Sequence, residues 1–189
     1  RFGPDPSVEV TANAATVDIS GIEFEARLQP WDGGFITFDL GFLANEYGEY
    51  QQFDASSGTT VDRSNLTIED YSPDWTLNAS VEHVFILANG GSVTPRLGIY
   101  AQDDYDFEEG VDKDGPVSPY CFQPGYSKLR GRVTYLPPSG NWQASLYGQN
   151  INDAVYYEIC GKARSGVFDY RYGDPKMVGL EFQYFWGDQ

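Results

Sequence analysis

The stretch Asn141–Cys160, NWQASLYGQNINDAVYYEIC, opens as a regular alternating strand and then abandons that pattern. Trp142, Ala144 and Leu146 fall on one side of an extended chain, and Gln143, Ser145 and Tyr147 on the other, because successive strand side chains point to opposite faces. Asn150-Ile151-Asn152-Asp153 follows, a cluster of turn-forming residues, and after it come Val155-Tyr156-Tyr157 and Cys160. A strand with two unlike faces therefore runs straight into a long polar connection.

The same two-residue period recurs along the chain. Ile36, Phe38, Leu40, Phe42 and Ala44 alternate with Thr37, Asp39 and Gly41; Trp75, Leu77, Ala79 and Val81 alternate with Thr76, Asn78, Ser80 and Glu82. Val93, Leu97, Ile99 and Ala101 oppose Thr94, Arg96, Gly98 and Tyr100. Leu129, Val133 and Tyr135 oppose Lys128, Arg130, Arg132 and Thr134, and Val178, Leu180, Phe182 and Tyr184 oppose Gly179, Glu181 and Gln183. No segment carries a helical period. The first strand region, about 15–29, changes parity midway: Val17 and Ile19 are odd, while Ile22, Phe24, Ala26 and Leu28 are even, with Gly21 between. A glycine at a parity switch predicts a β-bulge there, with simple irregularity as the alternative.

Short and long connections alternate strictly between these seven strands. Pro30-Trp31-Asp32-Gly33-Gly34, Ala88-Asn89-Gly90-Gly91 and Pro137-Pro138-Ser139-Gly140-Asn141 are tight turns, whereas about 51–73, 108–125 and 151–174 are long and polar. All tight turns thus fall at one end of the sheet and all long loops at the other, as in outer-membrane barrels. Several strands also exceed the roughly 9–11 residues that cross a bilayer when tilted. The polar rows carry Asp39, Glu82, Arg96, Arg130, Arg132 and Glu181, and the apolar rows end in aromatics such as Trp75, Tyr135, Trp142 and Tyr184. These fit a wet interior and an interfacial aromatic girdle. The predicted fold is all-β, an antiparallel up-and-down transmembrane barrel; a soluble sheet with a solvated outer face is the alternative.

Bacterial outer-membrane barrels have an even number of strands, and a sheet of only seven would leave its first and last strands as unpaired edges, which lipid does not tolerate. Seven strands are therefore expected to be part of a wider barrel. The net charge of −16 argues against nucleic acid as a partner, since phosphates would be repelled. The start Arg1-Phe2-Gly3-Pro4 shows no leader pattern, so a signal was removed or the chain begins inside something longer. The two cysteines, Cys121 and Cys160, suit one disulfide in an oxidising compartment.

Three segments resemble TonB-dependent outer-membrane receptors in order and spacing. NAATVDISGIEFEARLQPWDGGFITFDLGFLANEY resembles a strand, turn and strand near the end of such barrels. LRGRVTYLPPSGNWQASLYGQNINDAVYY resembles their penultimate hairpin with its Asn-hydrophobic-Asn-Asp signature, here Asn150–Asp153. YGDPKMVGLEFQYFW resembles the closing strand, with Pro175 before it and Gly179 within it. The resemblance spans nearly the whole chain, so 1–189 is expected to be the C-terminal part of a receptor barrel, with no plug domain recognisable. It implies a bacterial outer-membrane location and active uptake of a scarce small-molecule ligand such as a siderophore-iron chelate, cobalamin or an oligosaccharide. It also implies outer-membrane lipid around the barrel and the TonB energy-transducing complex as partner, acting through the plug. No enzyme activity, cofactor or metal is expected. The end departs from the family pattern, which finishes on an aromatic: Phe185 is followed by Trp186-Gly187-Asp188-Gln189.

Two other function classes are the alternatives, a soluble β-barrel or sandwich binding module and a lipase-like barrel enzyme. His83 is the single histidine and lies in an apolar row with no serine in matching register, which favours a rim position over a catalytic one. Asp103, Asp104, Asp106, Glu108, Glu109, Asp112 and Asp114 form an acidic run. Its spacing fails the EF-hand pattern, so a solvated external loop is expected. The sequons at Asn65 and Asn78 carry no weight in a bacterial strand.

Strands five and six form one hairpin, so the loops holding Cys121 and Cys160 emerge side by side at the external end. A disulfide between them is expected, with two separate thiols as the alternative. It would hold Tyr120, Phe122, Tyr156 and Tyr157 as a stiff aromatic lip facing ligand at the barrel mouth.

Overall fold

The computed structural model describes residues 15–54, 57–66, 72–107, 120–162 and 167–187. The regular structure in them is all β. In chain order the strands are β1 Ala15–Trp31, β2 Gly34–Asp54, β3 Thr59–Asp62, β4 Trp75–His83 and β5 Phe85–Ile86. They continue with β6 Ser92–Gln102, β7 Tyr105–Asp106, β8 Phe122–Gln123, β9 Tyr126–Leu136, β10 Trp142–Gln149, β11 Tyr157–Lys162, β12 Phe168–Tyr172 and β13 Met177–Tyr184. Seven of them form one antiparallel wall in the order β1-β2-β4-β6-β9-β10-β13, while β3 adds to β2 and β5 to β6. β7 with β8, and β11 with β12, make two separate ladders inside the long connections. Each short turn of the meander holds one glycine at positive φ: Gly33 at 75°, Gly90 at 85° and Gly140 at 64°. That left-handed geometry is open to glycine without steric cost.

Cross-strand partners point to the same face, so the register sorts the wall into rows. One apolar row runs Leu28, Ile36, Val81, Leu97, Gly131, Gly148 and Val178. A polar row runs Asp39, Asn78, Tyr100 and Lys128. The apolar face is not packed: Leu180 is 83% exposed and Phe182 66%. Among the described residues the buried hydrophobics are Phe107, Cys121, Tyr156 and Cys160, all outside the seven wall strands. Neither face of the wall forms an apolar core, which a soluble sandwich or closed soluble barrel would need.

Two expectations about β1 and β2 need correction. No bulge lies at Gly21, which pairs with Leu43 in unbroken register; the shifts fall between Ala15 and Val17 and between Leu28 and Trp31. Gly21 is needed for another reason, since a Cβ there would lie 2.7 Å from the Phe42 carbonyl oxygen. The parity change instead marks where the apolar face ends. Leu28/Ile36 through Ile22/Phe42 give way on the same face to Ser20/Ala44 and Asp18/Glu46. β2 also does not give way to a loop near residue 51 but runs to Asp54, paired first with β1 and then with β3. Polar residues on both faces hid this extension, because amphipathic alternation is lost once the strand passes beyond an apolar medium.

Aromatics gather on the apolar face at the short-turn end. The Trp31 ring lies against Gly34, where a Cβ would collide with it, and its Nε1 donates to His83 Nδ1 at 2.9 Å. His83 meets Phe85 edge-on at 4.2 Å, and Trp142 contacts both Tyr135 and Phe182 at 5.6 Å. Trp75 stands at the opposite end, paired with Phe42.

The opening stretch has a physical account. β10 stays in register with β9 to Gly148 opposite Gly131, then turns through Asn150 and Asp153, both at positive φ. The Ile151 amide donates to the Leu129 carbonyl at 2.9 Å. Asn152 takes over the next pairing with its side chain: Oδ1 accepts from the Leu129 amide and Nδ2 donates to the Ser127 carbonyl, each at 2.8 Å. Asn150 is buried, and its Nδ2 donates to the carbonyls of Ala154 and Asp174. Asp153 Oδ1 accepts from the Lys176 amide at 3.2 Å. The four residues therefore close the ladders of β9 and β13 where β10 departs.

Candidate functional site

At the end with the long connections, two small ladders are tied together. Cys121, just before β8, and Cys160 in β11 form a disulfide with Cα atoms 5.4 Å apart. Both are almost fully buried, and Phe107, Tyr105, Tyr157 and Phe168 pack around them. The amide of Phe107 donates to the Cys121 carbonyl at 2.9 Å. Gln123 is 1% exposed, and its Oε1 accepts from the Tyr157 amide at 2.6 Å, joining β8 to β11. A buried amide pays a desolvation penalty unless so partnered, so Gln123 fixes the relative position of the two ladders.

The four aromatics expected as a lip lie in unlike environments. Tyr120 is exposed and stacks on Phe168 at 4.5 Å. Phe122 is half-buried in the β8 ladder opposite Asp106. Tyr157 is half-buried between Tyr170 and Tyr172, at 5.3 and 5.0 Å; a hydrogen bond with Tyr172, then burial, holds its hydroxyl above the ordinary phenol range. Tyr156 is 8% exposed, stacked on Tyr126 at 4.7 Å and seated where any Cβ on Gly173 would strike its ring.

Tyr156 roofs a cation on the polar face of the wall. Lys128 Nζ lies 4.3 Å from the Tyr156 centroid, 5.4 Å from Tyr100 and 5.7 Å from Tyr126. Below it Arg130 and Arg132 follow on the same face of β9. Arg132 reaches across β10 to Glu181 of β13 through two hydrogen bonds of 3.2 Å and lies 5.3 Å from the Tyr147 centroid. Arg96 contacts Glu82 at 3.8 Å and donates to Ser80 at 3.1 Å. Arg130 donates to Asn78 Oδ1 at 2.6 Å, and Asn78 Nδ2 donates to Asp39 at 3.2 Å. Such depth of charged and hydrogen-bonding groups is ordinary for a water-filled barrel interior.

No helix among the described residues is long and apolar enough to cross a membrane, which says nothing about crossing by strands. A family model described as TonB dependent receptor-like, beta-barrel, matches residues 2–151. The chain belongs to the TonB-dependent receptor β-barrel family. That family is one of outer-membrane receptors and transporters rather than enzymes. No curated protein matches the chain. Among solved structures it is similar to the crystal structure of the ferric yersiniabactin uptake receptor FyuA from Yersinia pestis, with a TM-score of 0.69 and 19% identity. The match covers 90% of this chain and 24% of that one, so the chain spans about a quarter of the length of the receptor it matches. At this identity the likeness shows the fold.

With the receptor wall identified, the other site expectations find their places. His83 is engaged by Trp31 through Nδ1 and lies in the aromatic end of the apolar face, where the sequence reading put a rim residue. In the acidic run Asp103, Asp104 and Asp106 are described, while Glu108, Glu109, Asp112 and Asp114 lie outside the described residues. Burial, and then the neighbouring Asp103 carboxylate, push Asp104 above its usual range. Among the described residues no group of three or more metal-ligating side chains converges. Sequence reasoning missed Gln123, Tyr100, Tyr126 and the tyrosine surround of Lys128. The alternation Lys128, Arg130, Arg132 was visible, but its aromatic roof comes from a loop distant in sequence.

Proposed function

We propose that this chain is part of the wall of an outer-membrane receptor that takes up a scarce small-molecule ligand, driven by the TonB complex through a plug domain. The observation that carries this reading is the family match over residues 2–151, which takes in six strands of a seven-stranded meander whose apolar face is bare and whose polar face is charged. Lipid solvates the first face and the lumen holds the second. A siderophore-iron chelate is the ligand class favoured, since the structurally similar receptor is a ferric yersiniabactin uptake receptor; cobalamin and oligosaccharides are the alternatives. The disulfide-tied aromatic module would stand at the external mouth, with exposed Tyr120 and half-buried Phe122 and Tyr157 presenting aromatic surface to arriving ligand. Stacking surfaces held rigid lose little entropy on binding.

The test is uptake by cells producing the full-length receptor, with and without TonB. Radiolabelled iron chelates, cobalamin and oligosaccharides are offered in turn. Accumulation of one of them that requires both the receptor and TonB is expected. Equal accumulation in TonB-deficient cells would overturn the proposal.

A further inference from the structure

The apolar face of the wall is not uniform. Between β4 and β13 it carries a groove of about 540 Å3, whose lining includes Val81, Pro95, Leu97, Val133, Leu146 and Val178. The groove arises where three positions interrupt the apolar surface. Pro95 has no amide hydrogen to donate, and beside it the β4–β6 ladder breaks, ending at Glu82–Arg96 and resuming as β5 at Phe85–Val93. The Val84 amide donates instead to the Gly33 carbonyl at 2.7 Å. Gly131 and Gly148 lie side by side across the β9–β10 ladder, in the row that otherwise carries Leu97 and Val178. Ile151 covers them from the long-loop end: a Cβ would lie 3.2 Å from its side chain at Gly131 and 3.0 Å at Gly148. From β4 to β13 the groove crosses four strand spacings, about 19 Å at roughly 4.8 Å each. It is long and narrow, the shape of one extended hydrocarbon chain.

A single polar donor meets the groove at its short-turn end, which His83 and Phe85 line. Trp31 Nε1 donates to His83 Nδ1 at 2.9 Å, so the neutral imidazole carries its proton on Nε2. His83 makes no other side-chain hydrogen bond among the described residues. An N–H held at the aromatic end of an apolar face is placed at the level of lipid headgroups, where ester oxygens can accept from it.

We propose that this groove seats one acyl chain of a diacyl phospholipid from the periplasmic leaflet, with His83 Nε2–H donating to a glycerol-ester oxygen. Continuity identifies the occupant: the groove is part of the apolar face that lipid solvates, and its donor stands at the short-turn end, the periplasmic side of an outer-membrane barrel. The proposal rests on the receptor reading in one respect, that this face meets lipid.

The experiment uses the full-length receptor in detergent, stripped of bulk lipid and titrated with phosphatidylethanolamine, with bound lipid counted by native mass spectrometry. Wild-type protein is expected to retain a single molecule. V133W, which fills the groove, should retain at least tenfold less, and H83L about fivefold less. H83Q keeps an N–H donor and should approach wild type, while L40W, on the same face outside the groove, should match it. The folded-barrel gel mobility of each variant shows that the wall is intact. Retention by V133W or H83L equal to wild type overturns the proposal, as does an equal loss in L40W, which marks non-selective lipid contact. Lipopolysaccharide retained in preference to phosphatidylethanolamine, or a receptor dimer that V133W dissociates, overturns it in favour of another occupant. Lipid retention requires neither TonB nor a transported ligand, so its failure and that of the uptake reading are separately visible.

Discussion

At single residues the deciding variable is which medium a side chain meets. Leu77 pairs with Leu40 and Ala101 in the middle of the apolar face, whereas its neighbour Asn78 faces the charged lumen. Leu77→Arg should therefore cost the folded barrel about 2–4 kcal/mol if it sits near the bilayer midplane. Denaturant titration of the full-length receptor in lipid vesicles measures it, and a loss near zero would place Leu77 away from lipid. Outside the membrane, hydrogen bonding governs titration instead. Asp62 Oδ1 accepts from the Ser64 hydroxyl at 2.5 Å and the Ser64 amide at 2.9 Å, and these bonds hold its carboxyl below the ordinary range. A depressed folded value means that the stabilisation is present above the unfolded pKa and is lost as pH falls through the lowered one. Protection of the Ser64 amide from hydrogen exchange should accordingly survive pH values at which free aspartates protonate and vanish only below them. Loss at the ordinary aspartate pKa would refute this assignment.

At the scale of elements, the long connections are built as carefully as the wall. The Cys121–Cys160 disulfide closes a separation of 39 residues, which the chain-entropy model values at roughly 3–4 kcal/mol. C121S/C160S should lower the unfolding temperature of the β7–β8 and β11–β12 ladders while the wall strands keep their exchange protection. Uniform weakening of wall and loops would contradict the separation of the two. The Asn150–Asp153 turn joins these parts. Asn152→Ala removes the partner of the Leu129 amide and the Ser127 carbonyl, and the cost expected is about 1–3 kcal/mol. Increased exchange confined to 127–129 and 150–153 is the signature to look for.

At the largest scale the described residues form a sheet whose outermost strands, β1 and β13, each pair on one side only among those residues, with one broad apolar face. Residues 1–189 produced alone should therefore aggregate in plain buffer and need detergent. A monodisperse monomer that melts cooperatively without detergent would count against the receptor wall. The same arrangement explains why the buried cluster lies in the loops: water, rather than lipid, surrounds them, so Phe107, the cysteines and their aromatic neighbours gain by packing.

The sequence by itself determined the number of wall strands, the sorting of their residues between two faces and the alternation of short and long connections. Each follows from the two-residue period of a strand and from local turn chemistry, which act over a few residues. It also pointed to the side on which Cys121 and Cys160 emerge, because a hairpin brings its outer ends together. Tertiary structure alone decided that Gly21 admits the Phe42 carbonyl without a bulge, that β2 extends to Asp54, and that Tyr156 is roofed over Lys128. Only it gathered Pro95, Gly131 and Gly148 with His83 around one groove. These depend on register and on contacts between residues far apart in the chain. No local pattern specifies a pairing register until the neighbouring strand supplies the backbone and side chains against which it is fixed.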